Sequence, residues 1–372
     1  CSVLPRNEEH SSLSSGAAQQ QAQEGSSLPI LTISEGANQG MGFEGYMAYD
    51  VSEIISVNPW TEDSQISELP VYKNPLEYHS KSPSMLIGGI DVERMREQLL
   101  NVAERLGLDT SKLEVKEVTK SEQELQDLKE WSARNGEEIP AAQLEPSQLV
   151  IETEGMRLDI TPDLTTSIFF EPMVQLPEEY HIDVPATEEG YMKLAHYLQE
   201  AYGELIEFES PKAEVDGGDY TYDGQRLFHY VSFFDASETA EEAIINYNFD
   251  RVIFYVNEGK GLTTVRVYAT DQSQKVGDYP LITVDEAKEK LAEGAYKSTV
   301  PAAFPGLDYV ARTELIYRTG RYETYFMPYY RFLVEMPEMV HENGLKTYGA
   351  FYVPAVEEEY LSDQIVWDGR FN

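Results

Sequence analysis

The sequence predicts an α+β fold in which three helices each precede a set of antiparallel strands. Apolar residues recur at helical spacing in three separate segments, and runs of strand-forming residues follow each of these segments. Short turn sequences containing glycine separate neighbouring runs. This order is typical of folds whose helices pack on one face of antiparallel sheets. The chain of 372 residues is long enough for two or three compact modules.

The segment before the first helix divides into two parts by composition. Residues 1–27 consist mainly of Ser, Gln, Glu, Ala and Gly, and such a stretch buries too little apolar surface to offset the entropy lost on ordering. We therefore expect a disordered tether there. Residues 28–90 begin with a short strand predicted at 28–33. They continue as an irregular, proline-containing segment that wraps over the folded body.

The first predicted module spans residues 91–185. Its helix is expected at 91–106, because apolar residues recur there at three- and four-residue steps and Asp91 suits the N-cap position. Its strands are predicted at 113–118, 148–153, 156–160 and 167–170.

Two further modules repeat this plan. The second spans residues 186–275 and begins with a helix at 187–202; the third spans 276–372 and begins with a helix at 284–291, which Thr283 caps. Their strands are predicted at 227–234, 251–256, 262–268, 309–317, 324–335 and 348–353. The threefold repetition of the layout indicates duplicated modules.

Four short segments of the third module carry a family resemblance. They are Tyr279-Pro280-Leu281-Ile282-Thr283 leading into Asp285-Glu286-Ala287, then Thr313-Glu314-Leu315-Ile316-Tyr317, Met327-Pro328-Tyr329-Tyr330-Arg331-Phe332, and Phe351-Tyr352-Val353-Pro354-Ala355. In this arrangement the region 279–355 resembles the PepSY-like and YycH/YycI-like extracytoplasmic modules. The resemblance implies binding without catalysis. It also implies a membrane sensor or a peptidase as the partner, because some members of those families regulate the former or inhibit the latter.

The position of the single cysteine predicts the compartment. Cys1 stands where processing behind a lipid-modified cysteine leaves it, so we expect a lipoprotein whose signal peptide has been removed and whose Cys1 carries the lipid, palmitate included. This predicts attachment to the bilayer at the outer face of the bacterial cell membrane, as part of the cell envelope. A single cysteine excludes an intramolecular disulfide.

The charge of the chain restricts its partners. With 66 acidic and 28 basic residues, the formal net charge is −38. Nucleic acid is excluded as a partner, because phosphate binding requires a basic face. The same charge disfavours docking on anionic lipid head groups and keeps an exported protein soluble.

Two catalytic or cofactor patterns are present only in part. The segment 40–45 reads Gly-Met-Gly-Phe-Glu-Gly, with Asp63 further on, but it lacks the strand and the long helix that a dinucleotide-binding loop requires. His341-Glu342 begins a zinc motif that Leu345 does not complete. We therefore predict no cofactor and no catalytic residues, and no metal centre apart from the calcium candidate described next.

An acidic loop in the second module offers a calcium site. Asp216, Asp219 and Asp223 stand close together in sequence and supply the carboxylates that Ca²⁺ prefers, although their spacing departs from that of an EF-hand. The alternative is a hairpin turn, since Asp and Gly are also the residues that turns require.

Tyrosines near the C-terminus offer a recognition surface. Strand alternation places Tyr325 and Tyr329 on the opposite face from Phe326 and Tyr330, so that one pair packs inward and the other is available to a peptide or a sugar. The function that the sequence favours is non-catalytic binding or regulation through protein–protein contacts. A cell-envelope glycan hydrolase that uses paired carboxylates, or a sugar-binding protein, is the alternative.

Overall fold

The computed structural model describes residues 27–33, 47–48, 57–182, 187–216, 228–340, 346–367 and 369. Within these ranges the helices are α1 (Val92–Arg105), α2 (Glu122–Asn135), α3 (Glu188–Ala201), α4 (Gly203–Ile206), α5 (Ala240–Phe249) and α6 (Val284–Ala292). The strands are β1 (Met47–Ala48), β2 (Glu68–Lys73), β3 (Glu77–His79), β4 (Ser82–Gly88), β5 (Lys116–Val118), β6 (Gln148–Thr153), β7 (Met156–Ile160), β8 (Thr166–Gln175), β9 (Pro211–Asp216), β10 (Phe228–Asp235), β11 (Asp250–Asn257), β12 (Gly261–Ala269), β13 (Lys275–Pro280), β14 (Lys297–Ser298), β15 (Val310–Arg318), β16 (Tyr325–Glu335) and β17 (Tyr348–Pro354). The predicted combination of helices and antiparallel sheets is confirmed.

The larger sheet contains eight strands in the order β5-β6-β7-β8-β12-β11-β10-β9. It consists of two four-stranded meanders that join where β8 pairs with β12, with Ile168 opposite Val265. The helices α1 and α3 cover it, and they bury Leu99 and Leu194 in one apolar cluster with Phe254 of β11. The strands of the first two predicted modules therefore lie in one continuous sheet, and the division into modules stays a prediction.

The second sheet contains seven strands. Its central path is β1-β17-β16-β2-β13, with β15 paired to β16 and β14 paired to β17. The strand β2 lies between β13 and β16, where Leu69 is opposite Tyr279 and Tyr72 is opposite Phe326. Leu291 of α6 packs into the apolar cluster of this sheet.

The helix α5 brings the two sheets together. It follows β10 and precedes β11 of the eight-stranded sheet, yet Tyr247 and Phe249 belong to the apolar cluster of the seven-stranded sheet. The ring of Phe249 packs edge-on against the ring of Tyr317 in β15, with 5.1 Å between the two ring centroids. The seam between the sheets is therefore built on this helix.

Three helices form where the sequence predicts them, because each has a capped N-terminus and one apolar face. The Asp91 carboxylate accepts a hydrogen bond from the Arg94 backbone N–H at 3.0 Å and begins α1. Thr187 caps α3 in the same way, and Thr283 forms a capping box with Glu286 at the start of α6.

Some predicted elements differ from the structure. The segment 68–88 was expected to be irregular, but it forms β2, β3 and β4. In the expected strand at 28–33, Leu31 makes only an isolated bridge to Leu361. The helices α2 and α5 were not predicted. Among the described residues, no helix combines the length and the apolar character needed to cross a membrane.

Candidate functional site: a cavity at the seam between the two sheets

A cavity of about 280 Å³ lies where the two sheets meet. The eight-stranded sheet contributes the β7–β8 loop and the strands β11 and β12, while the seven-stranded sheet contributes the region that joins β15 to β16. The segment before α1 closes one side through Pro75, Leu76 and Gly89. Both halves of the molecule therefore supply walls of the same cavity, a location that ligand sites often occupy.

The β7–β8 loop is held in a tight conformation at the cavity wall. The Thr161 hydroxyl and the Thr165 backbone N–H both donate to the Asp163 carboxylate, the latter over 3.3 Å. Between them Leu164 adopts a left-handed conformation with φ +63° while its side chain is buried. Such a conformation costs a non-glycine residue roughly 1–2 kcal/mol, so the packing around this loop must hold it in place.

An ion pair links α1 to the segment that follows β12. The Arg94 guanidinium donates to the Asp271 carboxylate, and the other oxygen of Asp271 accepts the Ser273 backbone N–H at 2.7 Å. Arg94 stands in the first turn of α1, which Asp91 begins. The cap of the helix thus places the guanidinium at the cavity.

Behind the cavity a buried polar network crosses from one sheet to the other. The Tyr247 hydroxyl lies 2.6 and 2.8 Å from the two carboxylate oxygens of Glu214, to which it donates. Arg251, which lines the cavity, pairs with Glu214 at 3.3 Å. On the other side Arg331 donates to the Tyr247 hydroxyl at 3.4 Å and pairs with Glu314. Burial and then the Glu214 carboxylate raise the pKa of Tyr247 far above its ordinary value, so the hydroxyl stays protonated and donates.

Arg321 reaches the cavity from the turn that joins β15 to β16. Burial acts to lower the pKa of Arg321, but Asp163 and Tyr78 outweigh burial and raise it. Its Nε is buried and meets no hydrogen-bond acceptor within the part of the chain that the structure describes. The side chain itself lines the cavity, so the guanidinium is placed to donate to a bound molecule.

Neutral hydrogen-bonding groups complete the lining. Asn248 accepts the Tyr317 backbone N–H at 2.9 Å through its amide oxygen. Its NH₂ group has no protein acceptor among the described residues, and neither do the hydroxyls of Thr270 and Thr319, which also line the cavity. These groups remain able to bind a ligand.

From the cavity an aromatic face continues along the eight-stranded sheet. Alternation along β11 and β12 places Tyr255 and Arg266 on the same side as the cavity-lining Arg251 and Tyr268. The Arg266 guanidinium donates to the Tyr255 hydroxyl at 3.2 Å, and the ring of Tyr230 packs against that of Tyr255 at 4.8 Å. Burial, with Tyr268 close by, raises the pKa of Tyr255 and keeps it neutral.

The sequence-predicted tyrosines do not form an exposed surface. Tyr329 is 0% exposed, with the Arg318 guanidinium 5.1 Å above its ring, and Tyr325 is partly buried against the apolar cluster of the seven-stranded sheet. Phe326 and Tyr330 are buried as well, so both faces of β16 are covered. The prediction that one face of this strand is available to a peptide or a sugar was therefore wrong for Tyr329.

Several predicted residues lie outside the described ranges: Cys1, the tether as far as residue 26, the 40–45 segment, His341, Asp219 and Asp223. The backbone of Asp216 ends β9 opposite Tyr230. The calcium loop therefore stays a prediction. Asp63 lies exposed in the loop before β2.

The four histidines within the described ranges each have their own partner. His79 bonds Glu137 at 2.7 Å, His181 bonds the Leu176 carbonyl at 2.8 Å, His196 lies 3.3 Å from Glu200, and His229 is buried beside the ring of Tyr191. Within the described ranges, no three His, Cys, Asp or Glu side chains come close enough to hold a metal ion.

Sequence reasoning did not find the cavity residues. Arg94, Asp163, Arg251 and Arg321 belong to no local motif, because strand pairing brings them together from distant parts of the chain. A partial signal is the arginine near the start of β11, a strand whose following residues alternate between buried and half-buried.

Comparison with known proteins adds no family. No family model matches this chain, and no curated protein does. Among solved structures, the chain is similar to an uncharacterized protein from Eubacterium rectale with 11% sequence identity and a TM-score of 0.33. That similarity covers 77% of this chain and 82% of the other.

Proposed function

We propose that this chain is a non-catalytic binding protein, attached through a lipid on Cys1 to the outer face of the bacterial cell membrane, and that the cavity at the seam is its binding site. The binding role is supported by the cavity carboxylates, because each of them already makes a structural contact within the protein. Asp91 caps α1, Asp163 closes the β7–β8 loop, and Asp271 pairs with Arg94. A general acid or base must be able to exchange its proton with the substrate, so these carboxylates suit recognition better than catalysis.

The location rests on the sequence. The tether composition of residues 1–27 and the net charge of −38 support an exported protein, and Cys1 is the residue to which the proposed lipid is attached. The resemblance of residues 279–355 to PepSY-like and YycH/YycI-like modules supports a membrane sensor or a peptidase as the protein partner. In this proposal the modules are duplicated units of that type. Ligand binding in the cavity then controls the contact between this chain and its partner protein.

Fractionation tests the anchoring. Cells that produce the native chain or Cys1→Ser are labelled with a palmitate analogue and separated into membrane and released fractions. We expect the native chain to carry the palmitate label and to be found in the membrane fraction. We expect the Cys1→Ser variant to be unlabelled and to be found in the released fraction. An unlabelled native chain in the released fraction contradicts the anchoring.

Crosslinking in intact membranes tests the binding role. We expect the anchored chain to recover one membrane sensor or peptidase that Cys1→Ser does not recover. Recovery should fall when the cavity is altered by Arg321→Met and persist with Lys346→Met, an exposed control. Turnover of purified cell-wall glycan by the native chain would contradict the non-catalytic role and favour the hydrolase.

A further inference from the structure

The charged groups around the cavity balance one another. Its lining contains three arginines, Arg94, Arg251 and Arg321, and three aspartates, Asp91, Asp163 and Asp271. The rest of the chain is strongly acidic, since the whole carries −38. An anion would have to approach through this negative field to reach a cavity in which Arg94 already pairs with Asp271 and Arg251 with Glu214. A cation would find Asp271 paired with Arg94, and Asp91 and Asp163 accepting backbone N–H groups. The charge balance therefore favours an uncharged ligand.

The hydrogen-bonding groups favour a ligand that donates and accepts at adjacent atoms. Arg94 and Asp271 present guanidinium donors beside carboxylate acceptors, and the Asn248 amide and the Thr270 hydroxyl add neutral groups. Each hydroxyl of a saccharide donates one hydrogen bond and accepts others, so neighbouring hydroxyls match such a mixed lining. The guanidinium of Arg321, which lines the cavity, adds further donors.

The strands β11 and β12 exclude recognition by strand addition at their wall of the cavity. β11 pairs with β10 and β12, and β12 pairs with β11 and β8, so both strands already have neighbours on each side. An extended peptide that adds to a sheet needs an unpaired edge. Recognition at the β11–β12 wall must therefore come from side chains. Among the described residues β15, which also lines the cavity, pairs with β16 on one side only, and on its other side the Tyr317 N–H already donates to the Asn248 amide oxygen. Side-chain recognition favours a saccharide over an extended peptide.

Aromatic rings provide a surface on which a sugar ring can pack. Tyr268 lines the cavity, and Tyr255 and Tyr230 continue the same face outward. A tyrosine offers a flat apolar face with a polar hydroxyl at its end, which suits a ring with one apolar face and hydroxyls at its rim. The volume of about 280 Å³ lies near the lower end of the roughly 300–1,000 Å³ of small-molecule sites.

We infer that the cavity binds an uncharged saccharide, with Arg94, Arg321 and Asn248 bonding its hydroxyls and Tyr268 packing against its ring. This inference rests on the proposed binding function and specifies its ligand. The saccharide is either a free sugar from outside the cell or the uncharged end of a longer glycan, and the face that leads to Tyr230 accommodates the additional rings of the latter.

Calorimetric titration of the full chain carrying Cys1→Ser tests the inference. The neutral probes are glucose, maltose, cellobiose, N-acetylglucosamine and its disaccharide. The probes with charged groups are the anion glucuronate and the zwitterionic dipeptide Ala-Ala. We expect saturable binding of at least one neutral sugar and no binding of either charged probe. Tighter binding of a tetrasaccharide than of its monosaccharide identifies a glycan end as the source, and equal affinity identifies a free sugar.

Conservative variants locate the binding. Asn248→Asp keeps the oxygen that accepts the Tyr317 N–H and removes the NH₂ donors, while Thr270→Val removes only a hydroxyl. Each substitution should raise the dissociation constant for the sugar at least tenfold. The exposed Tyr309→Phe should leave the affinity unchanged. Circular dichroism checks that all three variants keep the native fold. Tyr268→Ala should abolish binding.

Two results would overturn the inference: binding of glucuronate or Ala-Ala in place of the neutral sugars, or sugar binding that is indifferent to Asn248→Asp and Thr270→Val. Binding of no probe would overturn it as well. If Arg321→Met still prevents recovery of the membrane partner in that case, the proposed binding function stands and only the saccharide is wrong.

Discussion

Arg318 and Glu323 form an ion pair 2.8 Å long in the protein interior, with side chains 0% and 3% exposed. The pair spans the turn between β15 and β16, and the Arg318 guanidinium lies over the ring of Tyr329. The same turn carries Arg321 to the cavity. A buried interaction thus holds the backbone from which a cavity-lining side chain projects.

Replacing one partner of this pair should destabilise the protein strongly. Arg318→Met removes the ion-pair partner of the buried Glu323 carboxylate and leaves Lys297 as the nearby cation, and breaking such a buried pair costs about 3–5 kcal/mol. The free energy of unfolding from urea denaturation measures the effect. Lys346→Met, which removes an exposed partner of Glu335, is the control and should change it by about 1 kcal/mol or less. Equal effects of the two substitutions would show that the interior pair is dispensable.

Tyr247→Phe tests the network between the sheets. The substitution removes the hydroxyl that donates to Glu214 and accepts from Arg331, and we expect a loss of about 1–3 kcal/mol in the free energy of unfolding. The exposed Tyr309→Phe should cost no more than about 0.5 kcal/mol. Calorimetry should show one transition at lower temperature. An unchanged melting temperature would mean that the network contributes nothing to the seam.

Asp250 should make stability depend on pH in mildly acidic solution. Burial, and then the nearby Asp235, raises the pKa of Asp250 to about 6, against 3.8 for the ordinary group. The folded state therefore holds its proton more tightly than the unfolded chain does. The stabilising contribution is complete below about pH 4 and is lost as the pH rises through 6.

Asp250→Asn should remove that dependence. Between pH 4 and pH 7.5, the free energy of unfolding of the variant should rise by about 1–3 kcal/mol relative to that of the native chain. Urea denaturation at several pH values measures this difference. Asp363→Asn, in an exposed turn, serves as the control and should follow the native profile. Parallel profiles for the native chain and Asp250→Asn would refute the prediction.

Gly89 closes the cavity at a position that tolerates no side chain. Its φ is +90°, and an added Cβ would lie 1.9 Å from the Pro75 carbonyl oxygen. Gly294 has a similar φ of +88° with open space around it. Gly294→Ala should therefore cost only the roughly 1–2 kcal/mol of the left-handed conformation, and Gly89→Ala clearly more. Melting temperatures of the two variants make the comparison, and equal values would mean that the Pro75 segment moves freely.

Helices were predictable from sequence where one face was apolar and the first turn was capped. The helices α1, α3 and α6 meet both conditions. The helix α2 was missed because it buries only Leu128, although its capping box between Ser121 and Glu124 was a readable sign. The strand β2 was missed because Pro70 suggested an irregular segment. Its missing N–H is tolerated there, since β2 pairs with β16 only through Tyr72 and Lys73.

The cavity was not predictable by the same means. Its charged residues come together only through the pairing of β8 with β12 and the packing of α5 on β15, and neither contact leaves a local pattern. The high number of tyrosines near the C-terminus instead predicted a recognition surface at Tyr329. That residue is buried because both faces of β16 are covered.

The position of β2 has a consequence for how the chain is made. This strand appears early in synthesis, but its neighbours are residues 275–280 and residues 325–326. While the chain emerges from the ribosome, β2 has no neighbouring strand until residues 275–280, about three quarters of the way along the polypeptide, have been made. The eight-stranded sheet draws all its strands from residues 116–269 and can assemble first. A polypeptide interrupted after that point would leave the apolar side chains of β2 uncovered, a state that proteases and chaperones recognise.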